Sequence, residues 1–551
     1  MYFDQKVYIG KAGEEKISIL PRMANRHGMI AGATGTGKTV TLKVMAESFS
    51  DCGVPVFLAD VKGDLAGMCR PGVDTEDMQE RINRFGLADD GFGFRSYPVQ
   101  YWDVYGEKGL PLRTTISEMG PLLLGQILEL NDTQMDVLSV VFRIADDEGL
   151  LLLDTKDLRS MLQFVSENSK ELSEAYGNIA KQSLGAIQRS VMALESQGAD
   201  KFFGEQALSI SDWFTVDSNG RGTIQILDCQ KLILNPNMYC TFLLWMLSDI
   251  YEVLPEEGDL DKPKMIFFFD EAHLLFKMAS RSLLSKIEQV VKLVRSKGVG
   301  VYFITQSPSD IPDGVLSQLG NKVQHAMHAY TPAEQRKVRA AAQSFRENPE
   351  FNTIDVLQEL GIGEALVSVL DEEGIPTIVK RVKILPPQSQ MGSLDDTIRE
   401  NMIFGSVLYS KYTQEMDRES AYEVLEQRAL TEAENVRLAE EEKERQKAEL
   451  AAEKERMKEE AEAEKQRLRE EAAAQKEKER EEAAAQREKE REEQRVRTEM
   501  GRVASTAAGT VGRTVGNALG SALGGKFGKT LGGNVGAQLG RGILRTLFGK
   551  K

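Results

Sequence analysis

The sequence is poor in cysteine and has no long apolar run. Its 551 residues include four cysteines, and none shows a CxxC or metal-ligand spacing, which argues against a zinc module or a disulfide scaffold. No secretory apolar segment precedes the first predicted strand, so we expect a reduced, cytoplasmic compartment and cysteines that serve as small apolar side chains. The lack of any run of about 18 uncharged apolar residues argues against an ordinary transmembrane helix.

Clustered positive charge is also absent from most of the chain. Residues 1–410 carry 40 Lys and Arg against 56 Asp and Glu, and residues 411–499 carry 21 against 29. Such an acidic surface binds DNA poorly, because phosphate contacts need clustered Lys and Arg, although a basic channel inside a ring remains compatible with this balance. Residues 500–551 carry eight Lys and Arg and no acid, so the net charge of −16 conceals a basic end.

Short apolar runs alternate with stretches of helical spacing through residues 1–410. The runs are typical of strands buried on both faces of a parallel sheet, and the alternation predicts an α/β sheet. The predicted strands are 27–31, 54–60, 223–228, 265–270, 299–305, 323–329 and 365–370. We divide the chain into the start of the core (1–60), a mainly helical insertion packed on the edge of the sheet (61–222), the remainder of the core (223–410), a charged helix (411–499) and a basic glycine-rich tail (500–551).

The charged segment and the tail have their own periodicities. An 11-residue unit at 469–479 recurs at 480–490, in a sequence of good helix formers with opposite charges four residues apart. This composition predicts a long helix, either in a right-handed coiled coil or alone as a solvated spacer.

Glycine recurs at every fourth position from Gly512 to Gly540, each time after an apolar residue. Glycine costs a helix about 1 kcal/mol per position relative to alanine, so such a helix needs a packing partner. Its basic residues favour a surface-lying or oligomerising helix over a spanning one. We expect residues 511–547 to contact a membrane surface peripherally or to bind a partner helix, with a disordered tail as the alternative.

A glycine-rich loop lies between a predicted strand and a predicted helix. It reads GATGTGKT over residues 32–39 and matches the phosphate-binding pattern G-x-x-x-x-G-K-[ST] in the context that this motif requires. Lys38 would reach the β- and γ-phosphates of ATP, and the Thr39 hydroxyl would bind Mg²⁺. The predicted nucleotide-binding residues are Gly32, Ala33, Thr34, Gly35, Thr36, Gly37, Lys38 and Thr39.

Two acids stand at the end of the strand predicted over 265–270. Asp270 would emerge at the carboxyl edge of the sheet, beside the phosphate loop, and hold Mg²⁺ through water. Glu271 could orient and deprotonate the attacking water. The two acids could instead cap the next helix, but with a phosphate loop upstream we interpret them as a Walker B pair.

Gln306 directly follows the next predicted strand. Its amide can donate to the γ-phosphate and accept from the water, although a plain turn residue remains an alternative. Phosphoryl transfer gains from a further cation, and no obvious one is supplied in cis beyond Lys38. We therefore expect an arginine from a neighbouring subunit, first Arg295, with Arg336 and Arg339 as alternatives.

The segment DVKGD ends the strand predicted over 54–60, again at the ligand edge of the sheet. Asp60 or Asp64 could help to fix the metal or the water. Lys62 lies between them, and a simple turn is an equally acceptable interpretation of the segment.

Four blocks of the sequence, in this order, resemble the HerA-like branch of the HerA/FtsK ATPases, and within it the YjgR-type bacterial proteins. The blocks are NRHGMIAGATGTGKTVTL, FLADVKGDL, FFFDEAHLLF and FITQSPSDIPDGVLSQLGNKVQHAMHAYTPAEQ. The resemblance implies an ASCE-type RecA-like core, a hexameric ring and ATP-driven translocation on duplex DNA. It also implies these roles: nucleotide binding by Lys38 and Thr39, Mg²⁺ binding by Asp270, base catalysis by Glu271, sensing by Gln306 and an arginine near position 295 acting across the subunit interface.

The sequence departs from HerA proper before the phosphate loop. The segment before Gly32 is too short for the β-barrel with which HerA helicases dock a nuclease, which leaves a nuclease partner and DNA itself open. We therefore predict a ring motor that moves duplex DNA or, as the alternative, a ring ATPase tethered through its tail to a membrane or partner and acting on another substrate. A nucleotide-dependent scaffold is a third possibility, against which the intact Glu271 argues.

Overall fold

The computed structural model describes residues 1–258, 260–278, 281–414 and 416–497. Residues Met1–Val436 form one compact unit, and a second unit begins at Arg437. The predicted glycine-spaced helix at 511–547 lies outside the described residues. Within them, no helix combines the length and the apolar character needed to cross a membrane.

Thirteen strands of the described chain form one mixed sheet. In chain order they are β1 (Tyr2–Phe3), β2 (Lys6–Ala12), β3 (Glu15–Ile19), β4 (Gly28–Ala31), β5 (Val56–Asp60), β6 (Val99–Asp103), β7 (Leu110–Pro111), β8 (Ile224–Asp228), β9 (Met265–Phe269), β10 (Val299–Thr305), β11 (Asn321–His325), β12 (Glu364–Ser368) and β13 (Lys380–Ile384). Across the sheet the order is β1-β2-β13-β12-β11-β4-β10-β9-β5-β8-β6-β7, and β3 pairs with β2. The pairs from β11 to β7 are parallel, and the others are antiparallel.

Helices connect these strands and cover the sheet. Several begin at a side chain that accepts a hydrogen bond from the first turn, as Thr115, Asn131 and Thr331 do in complete capping boxes. The helices are α1 (Lys38–Asp51), α2 (Glu76–Phe85), α3 (Ile116–Ile127), α4 (Asp132–Glu148), α5 (Thr155–Glu167), α6 (Ser169–Tyr176), α7 (Lys181–Glu195), α8 (Ala199–Phe202), α9 (Pro236–Val253), α10 (Ala272–Met278), α11 (Arg281–Val294), α12 (Asp313–Leu316), α13 (Pro332–Gln343), α14 (Thr353–Glu359), α15 (Asp396–Phe404), α16 (Tyr409–Thr413) and α17 (Ala421–Arg497).

The predicted RecA-like α/β core is confirmed. Each predicted strand is present, and β10 lies between β4 and β9, with Thr305 beside Ala31 and Phe303 beside Phe269. Since parallel strands end at the same edge, the residues that follow β4, β5, β9 and β10 meet at one edge of the sheet.

Alternate residues of the central strands pack into two separate cores, which explains why these strands are continuous apolar runs. On one face, Phe57 stacks on Trp213 with ring centroids 4.9 Å apart and also packs against Phe267. On the other face, Phe268 packs between Phe49 of α1 and Tyr302. Burying a phenylalanine side chain contributes about 1.5–3 kcal/mol, so both faces stabilise the sheet.

The stretch 61–222 is more than a helical insertion at the sheet edge. Its strands β6 and β7 were not predicted, and they extend the parallel sheet beyond β8. The helices α3, α4, α5 and α7 also share one apolar core with α9 and with a face of the sheet. The strands β1, β2, β3 and β13 were likewise not predicted, and they extend the opposite edge in antiparallel pairs.

The helix α1, which follows the glycine-rich loop, is anchored at its far end. Buried Glu47 accepts hydrogen bonds from the backbone N–H groups of Gln388 at 2.8 Å and Ser389 at 2.9 Å. Buried Lys43 donates to the carbonyl of Gln390, and burial lowers the pKa of this lysine. These bonds join α1 to the segment after β13.

The long helix α17 agrees with the composition of the charged segment. Its first residues, Ala421 and Leu425, are buried in the core of the compact unit. The described side chains from Arg437 onward are exposed, and Arg445 lies 3.8 Å from Glu449 one turn later. The coiled coil stays a prediction.

Candidate active site

The glycine-rich loop lies between the ends of β10 and β11. The backbone N–H of Gly32 donates to the carbonyl of Thr305 at 3.2 Å, and that of Ala33 donates to the carbonyl of Ala326 at 2.9 Å. Gly37, the residue before α1, has a φ of +111°, at which a residue with a side chain would be strained. A Cβ atom on Gly32 would lie 2.5 Å from the Cβ of His325. The close approach of the loop to β11 therefore requires glycine.

Lys38 places its ammonium group inside this loop. Its Nζ atom donates to the carbonyls of Gly32 at 2.8 Å and Ala33 at 3.0 Å. Burial lowers the pKa of Lys38, and the nearby charge of Glu271 opposes that shift. The ammonium group thus lies where phosphate oxygens held by the loop would need a countercharge.

A pocket of about 250 Å³ opens beside the loop. It brings Lys38 and Thr39, together with three other residues predicted to bind nucleotide, next to Asp270, which lies far away in the sequence. Its other lining residues are Thr34, Gly35, Gly37, Val40, Leu42, Lys62, Asp64, Leu65, Ile304 and Ile362. The polar side chains, on the loop and at the ends of β5 and β9, suit a phosphate and a metal, while Val40 and the 77% exposed Ile362 add an apolar side.

Asp270 follows β9 and is nearly buried. Its Oδ1 atom accepts from the backbone N–H of Glu271 at 2.9 Å, and Tyr239 donates its hydroxyl to the Asp270 carbonyl at 3.1 Å. Burial raises the pKa of Asp270 to about 6, and the charge of Lys62 opposes the shift. The first of these bonds orients the carboxylate, and Asp270 lines the pocket.

Thr39 and Asp270 fit a magnesium ion. A hydroxyl and a carboxylate in one pocket supply hard oxygen ligands, and protein-bound Mg²⁺ commonly takes one or two carboxylates together with phosphate oxygens and water. Among the described side chains, no group of three or more His, Cys, Asp and Glu could hold a metal ion alone. A magnesium site here therefore depends on phosphate oxygens as further ligands.

Glu271 adopts a left-handed backbone conformation, with a φ of +49°, which is uncommon for a residue with a side chain. One carboxylate oxygen lies 3.1 Å from the Nζ atom of Lys62, and the other lies 3.2 Å from Nδ1 of His273 without hydrogen-bonding geometry. The carboxylate lies beside Asp270 but is not among the groups that line the pocket. Residues held in such a conformation cluster at functional sites.

Gln306 lies next to the loop without lining the pocket. It follows Thr305, whose carbonyl accepts from Gly32, and its side chain is exposed. The hydroxyl of Thr305 donates to Asp310 at 3.2 Å, which fixes the turn after β10. The amide is thus at the predicted edge of the sheet, and its direct contact with a phosphate stays a prediction.

The candidate arginines lie at different edges of the sheet. Arg295 precedes β10, so it lies at the amino edge, opposite the loop of its own chain. Burial and the nearby charge of Arg295 lower the pKa of His27, the residue before β4, to about 4. Arg336 and Arg339 are exposed on α13. There Lys337 lies 3.8 Å from Asp310, so α13 is at the carboxyl edge.

Asp60 builds a turn with its carboxylate. Its two oxygens accept from the backbone N–H groups of Gly63 at 2.7 Å, Asp64 at 3.2 Å and Leu65 at 3.1 Å. Burial, together with the charge of Asp64, raises the pKa of Asp60 to about 7. Of the two acids in DVKGD, only Asp64 lines the pocket, together with Lys62.

His325, which the sequence did not single out, supports the loop from behind. It is fully buried, and its Nδ1 atom lies 2.9 Å from the carbonyl of Glu364, so Nδ1–H must donate there. Its Nε2 atom then accepts from the Thr41 hydroxyl at 2.8 Å. Burial lowers the pKa of His325 to about 4, which keeps the ring neutral at physiological pH.

The position of β10 decides the class of the protein. It separates the strand that carries the phosphate loop from the strand that carries Asp270 and Glu271. Asp270 and Glu271 therefore follow a strand that is separated from the loop strand by one other strand. This is the arrangement of the ASCE-type P-loop ATPases, and the chain is an ATPase of this class.

Residues 5–478 match the family described as "Helicase HerA-like C-terminal", and the chain belongs to this HerA-like family. It is similar to the DNA double-strand break repair helicase HerA of Sulfolobus acidocaldarius, with 20% identity over 392 residues, covering 68% of this chain and 67% of that protein. HerA of Saccharolobus solfataricus is 23% identical over 369 residues, covering 65% of this chain and 64% of that protein.

The chain is also similar to solved structures. The plasmid coupling protein TrwB, in complex with the non-hydrolysable ATP analogue ADPNP, has 14% identity and a TM-score of 0.46, covering 71% of this chain and 96% of TrwB. VirB4 of Thermoanaerobacter pseudethanolicus has 15% identity and a TM-score of 0.46, covering 69% of this chain and 96% of VirB4. From its fold, its phosphate loop and its family, the protein is an ATP-driven motor of the HerA/FtsK type.

Proposed function

We propose that the protein forms a ring, a hexamer by resemblance, that couples ATP hydrolysis to the movement of duplex DNA. The observation that carries the proposal is the pocket in which Lys38, Thr39 and Asp270 meet, with Glu271 beside it. The two curated HerA relatives are described as DNA double-strand break repair helicases, which supports DNA as the substrate.

Each residue of the site has a proposed role in hydrolysis. The backbone N–H groups of the loop and the ammonium of Lys38 bind the β- and γ-phosphates. Thr39 and Asp270 would hold Mg²⁺, which neutralises phosphate charge when bound. Glu271 accepts a proton from the attacking water, and Gln306 orients that water and detects the γ-phosphate.

An arginine from the neighbouring subunit would complete the site. Arg295 requires a ring in which the amino edge of one subunit faces the loop edge of the next. Arg336 and Arg339 require only that α13 approach the adjacent pocket. We keep Arg295 as the first candidate and test it against the two arginines of α13.

Duplex DNA is expected to stimulate ATP hydrolysis by the full chain, and rising salt is expected to weaken that stimulation. Each phosphate contact releases condensed counterions, so the apparent affinity for DNA should fall linearly with the logarithm of salt concentration. The rate of phosphate release is measured with and without duplex DNA over a salt series. A truncation after Val436, which keeps the buried start of α17, serves as the control for binding by the basic tail.

The alternative function is a tethered ring ATPase with a substrate other than DNA. The excess of acids over bases in residues 1–410 favours it, and so does the basic, glycine-spaced segment at 511–547. This alternative predicts that duplex DNA does not change the rate of ATP hydrolysis. It also predicts that anionic lipid vesicles raise the rate, and only when the tail is present. Such a result would favour the tethered ATPase over the DNA motor.

Replacing His325 by alanine is expected to weaken ATP binding several-fold and to lower stability by about 1–3 kcal/mol. The change leaves the Thr41 hydroxyl and the Glu364 carbonyl unpaired and opens space behind Gly32. Nucleotide affinity is measured by fluorescence titration and stability by urea unfolding. His328, on the exposed segment after β11, gives the matched control His328→Ala; equal nucleotide affinities of the two variants would contradict the role of His325.

A further inference from the structure

A second lysine faces the nucleotide pocket. Lys62 lines it together with Lys38, and its Nζ atom lies 3.1 Å from a carboxylate oxygen of Glu271. Burial lowers the pKa of Lys62, but the charges of Asp270 and Glu271 outweigh that effect, so its pKa is raised overall. The side chain therefore stays protonated beside the proposed catalytic base.

The backbone around Lys62 is rigid although its side chain is 44% exposed. The carboxylate of Asp60 accepts three backbone N–H groups of the turn, and Gln230 donates to the Lys62 carbonyl at 2.9 Å. A Cβ atom on Gly63, whose φ is +75°, would lie 2.0 Å from the side-chain nitrogen of Gln230. This turn fixes where the lysine side chain starts.

A purely structural role explains this ion pair poorly. Lys62 is 44% exposed and Glu271 is 14% exposed, so water screens the lysine end of the pair, and an ion pair with one partly exposed member contributes little to stability. Lys62 nevertheless lies in the same pocket as Lys38 and engages the one carboxylate that is proposed to activate water. A triphosphate in the pocket would present a γ-phosphate of higher negative charge than one carboxylate, and it would compete for the lysine.

We propose that Lys62 senses the γ-phosphate and controls Glu271. Without a γ-phosphate its ammonium binds Glu271 and holds the base inactive; with ATP bound the ammonium transfers to the γ-phosphate and releases the carboxylate. Glu271 then takes a proton from water, the water oxygen bonds to the γ-phosphorus, and the bond to the β,γ-bridging oxygen breaks. ADP leaves with that electron pair, and the proton passes from Glu271 to solvent. This inference rests on the proposed ATPase site.

The variant Lys62→Met tests the proposal by comparing two ligands. Because ADP has no γ-phosphate, the variant should bind a non-hydrolysable ATP analogue about tenfold more weakly, while its ADP affinity stays within about twofold of wild type. Its kcat should fall by about 10²-fold, as the transferring phosphate loses a countercharge. The variant Lys62→Arg should retain part of the affinity for the ATP analogue and part of the kcat that Lys62→Met loses. If Lys62→Met lowers the affinity for the ATP analogue and for ADP equally, or lowers neither affinity, the proposal is wrong.

Two further measurements separate this inference from the proposed function. Lys231→Met breaks a similar surface pair with Glu107 outside the pocket and should leave binding and kcat unchanged. In a Glu271→Gln background the Lys62 ammonium has no carboxylate partner. There Lys62→Met should still lower the affinity for the ATP analogue by about tenfold. If wild type fails to bind or hydrolyse ATP, both proposals fall; if wild type is active and Lys62→Met matches it, only the role of Lys62 falls.

Discussion

Replacing Lys38 by alanine is expected to abolish ATP hydrolysis while the protein stays folded. The ammonium group lies inside the loop and is the proposed countercharge for the β- and γ-phosphates. Removing one such electrostatic contact typically lowers turnover by about 10²–10³-fold. Burial already disfavours the charged lysine, so its loss should cost little stability. Phosphate release at saturating ATP and a thermal melt measure the two effects.

The matched control is Lys43→Met on the same helix. Lys43 is also a buried lysine, but it donates to the Gln390 carbonyl and does not line the nucleotide pocket. Its replacement should leave turnover unchanged, whereas Lys38→Ala abolishes it. Full turnover by Lys38→Ala would contradict the assignment of the nucleotide-binding site.

The strands that carry the site could be predicted because each is a continuous apolar run with a distinctive residue at its end. Burial on both faces produces such runs, and the end residue marks the carboxyl edge of the sheet. Val299–Thr305 was predicted with its observed bounds, and Met265–Phe269 within one residue. The meeting of the loop with Asp270 in one pocket follows from this parallel arrangement.

The remaining strands could not be predicted because their apolar pattern is short or interrupted. The strand Val99–Asp103 contains one glutamine among aromatic residues and lies in a stretch of helical spacing. Lys380–Ile384 alternates exposed and buried residues at the antiparallel edge, and one of its two pairing partners, Lys6–Ala12, is far away in the sequence. Such strands are stabilised by long-range pairing, which a local pattern does not contain.

The residues that support the site leave no local signal in the sequence. Thr41 and His325 are 284 residues apart, and only the folded sheet brings the hydroxyl to the imidazole. The same holds for Lys62 and Glu271, which follow different strands. Asp60 stands at the right edge for a metal ligand, but the three N–H groups of its own turn use its carboxylate first.

The second large effect is expected for Glu271→Gln. The amide has nearly the same shape but cannot accept the proton of the attacking water, so turnover should fall by about 10²–10⁴-fold. ATP binding should persist, because the carboxylate does not line the nucleotide pocket. Phosphate release and equilibrium binding of ATP separate the two effects. Unchanged turnover would mean that another base activates water or that the site does not hydrolyse ATP.

A mixture of Glu271→Gln subunits and Arg295→Ala subunits tests whether Arg295 acts in the active site of the neighbouring subunit. Each variant alone is expected to be inactive. In a mixed ring, an Arg295→Ala subunit still has its Glu271, and a Glu271→Gln neighbour still supplies Arg295, so some interfaces regain every group and hydrolysis returns. No recovery would reject Arg295, and the same mixing with Arg336→Ala or Arg339→Ala subunits would then test α13. Because Arg295 lies at the edge opposite its own loop, recovery would also show that the amino edge of one subunit faces the pocket of the next.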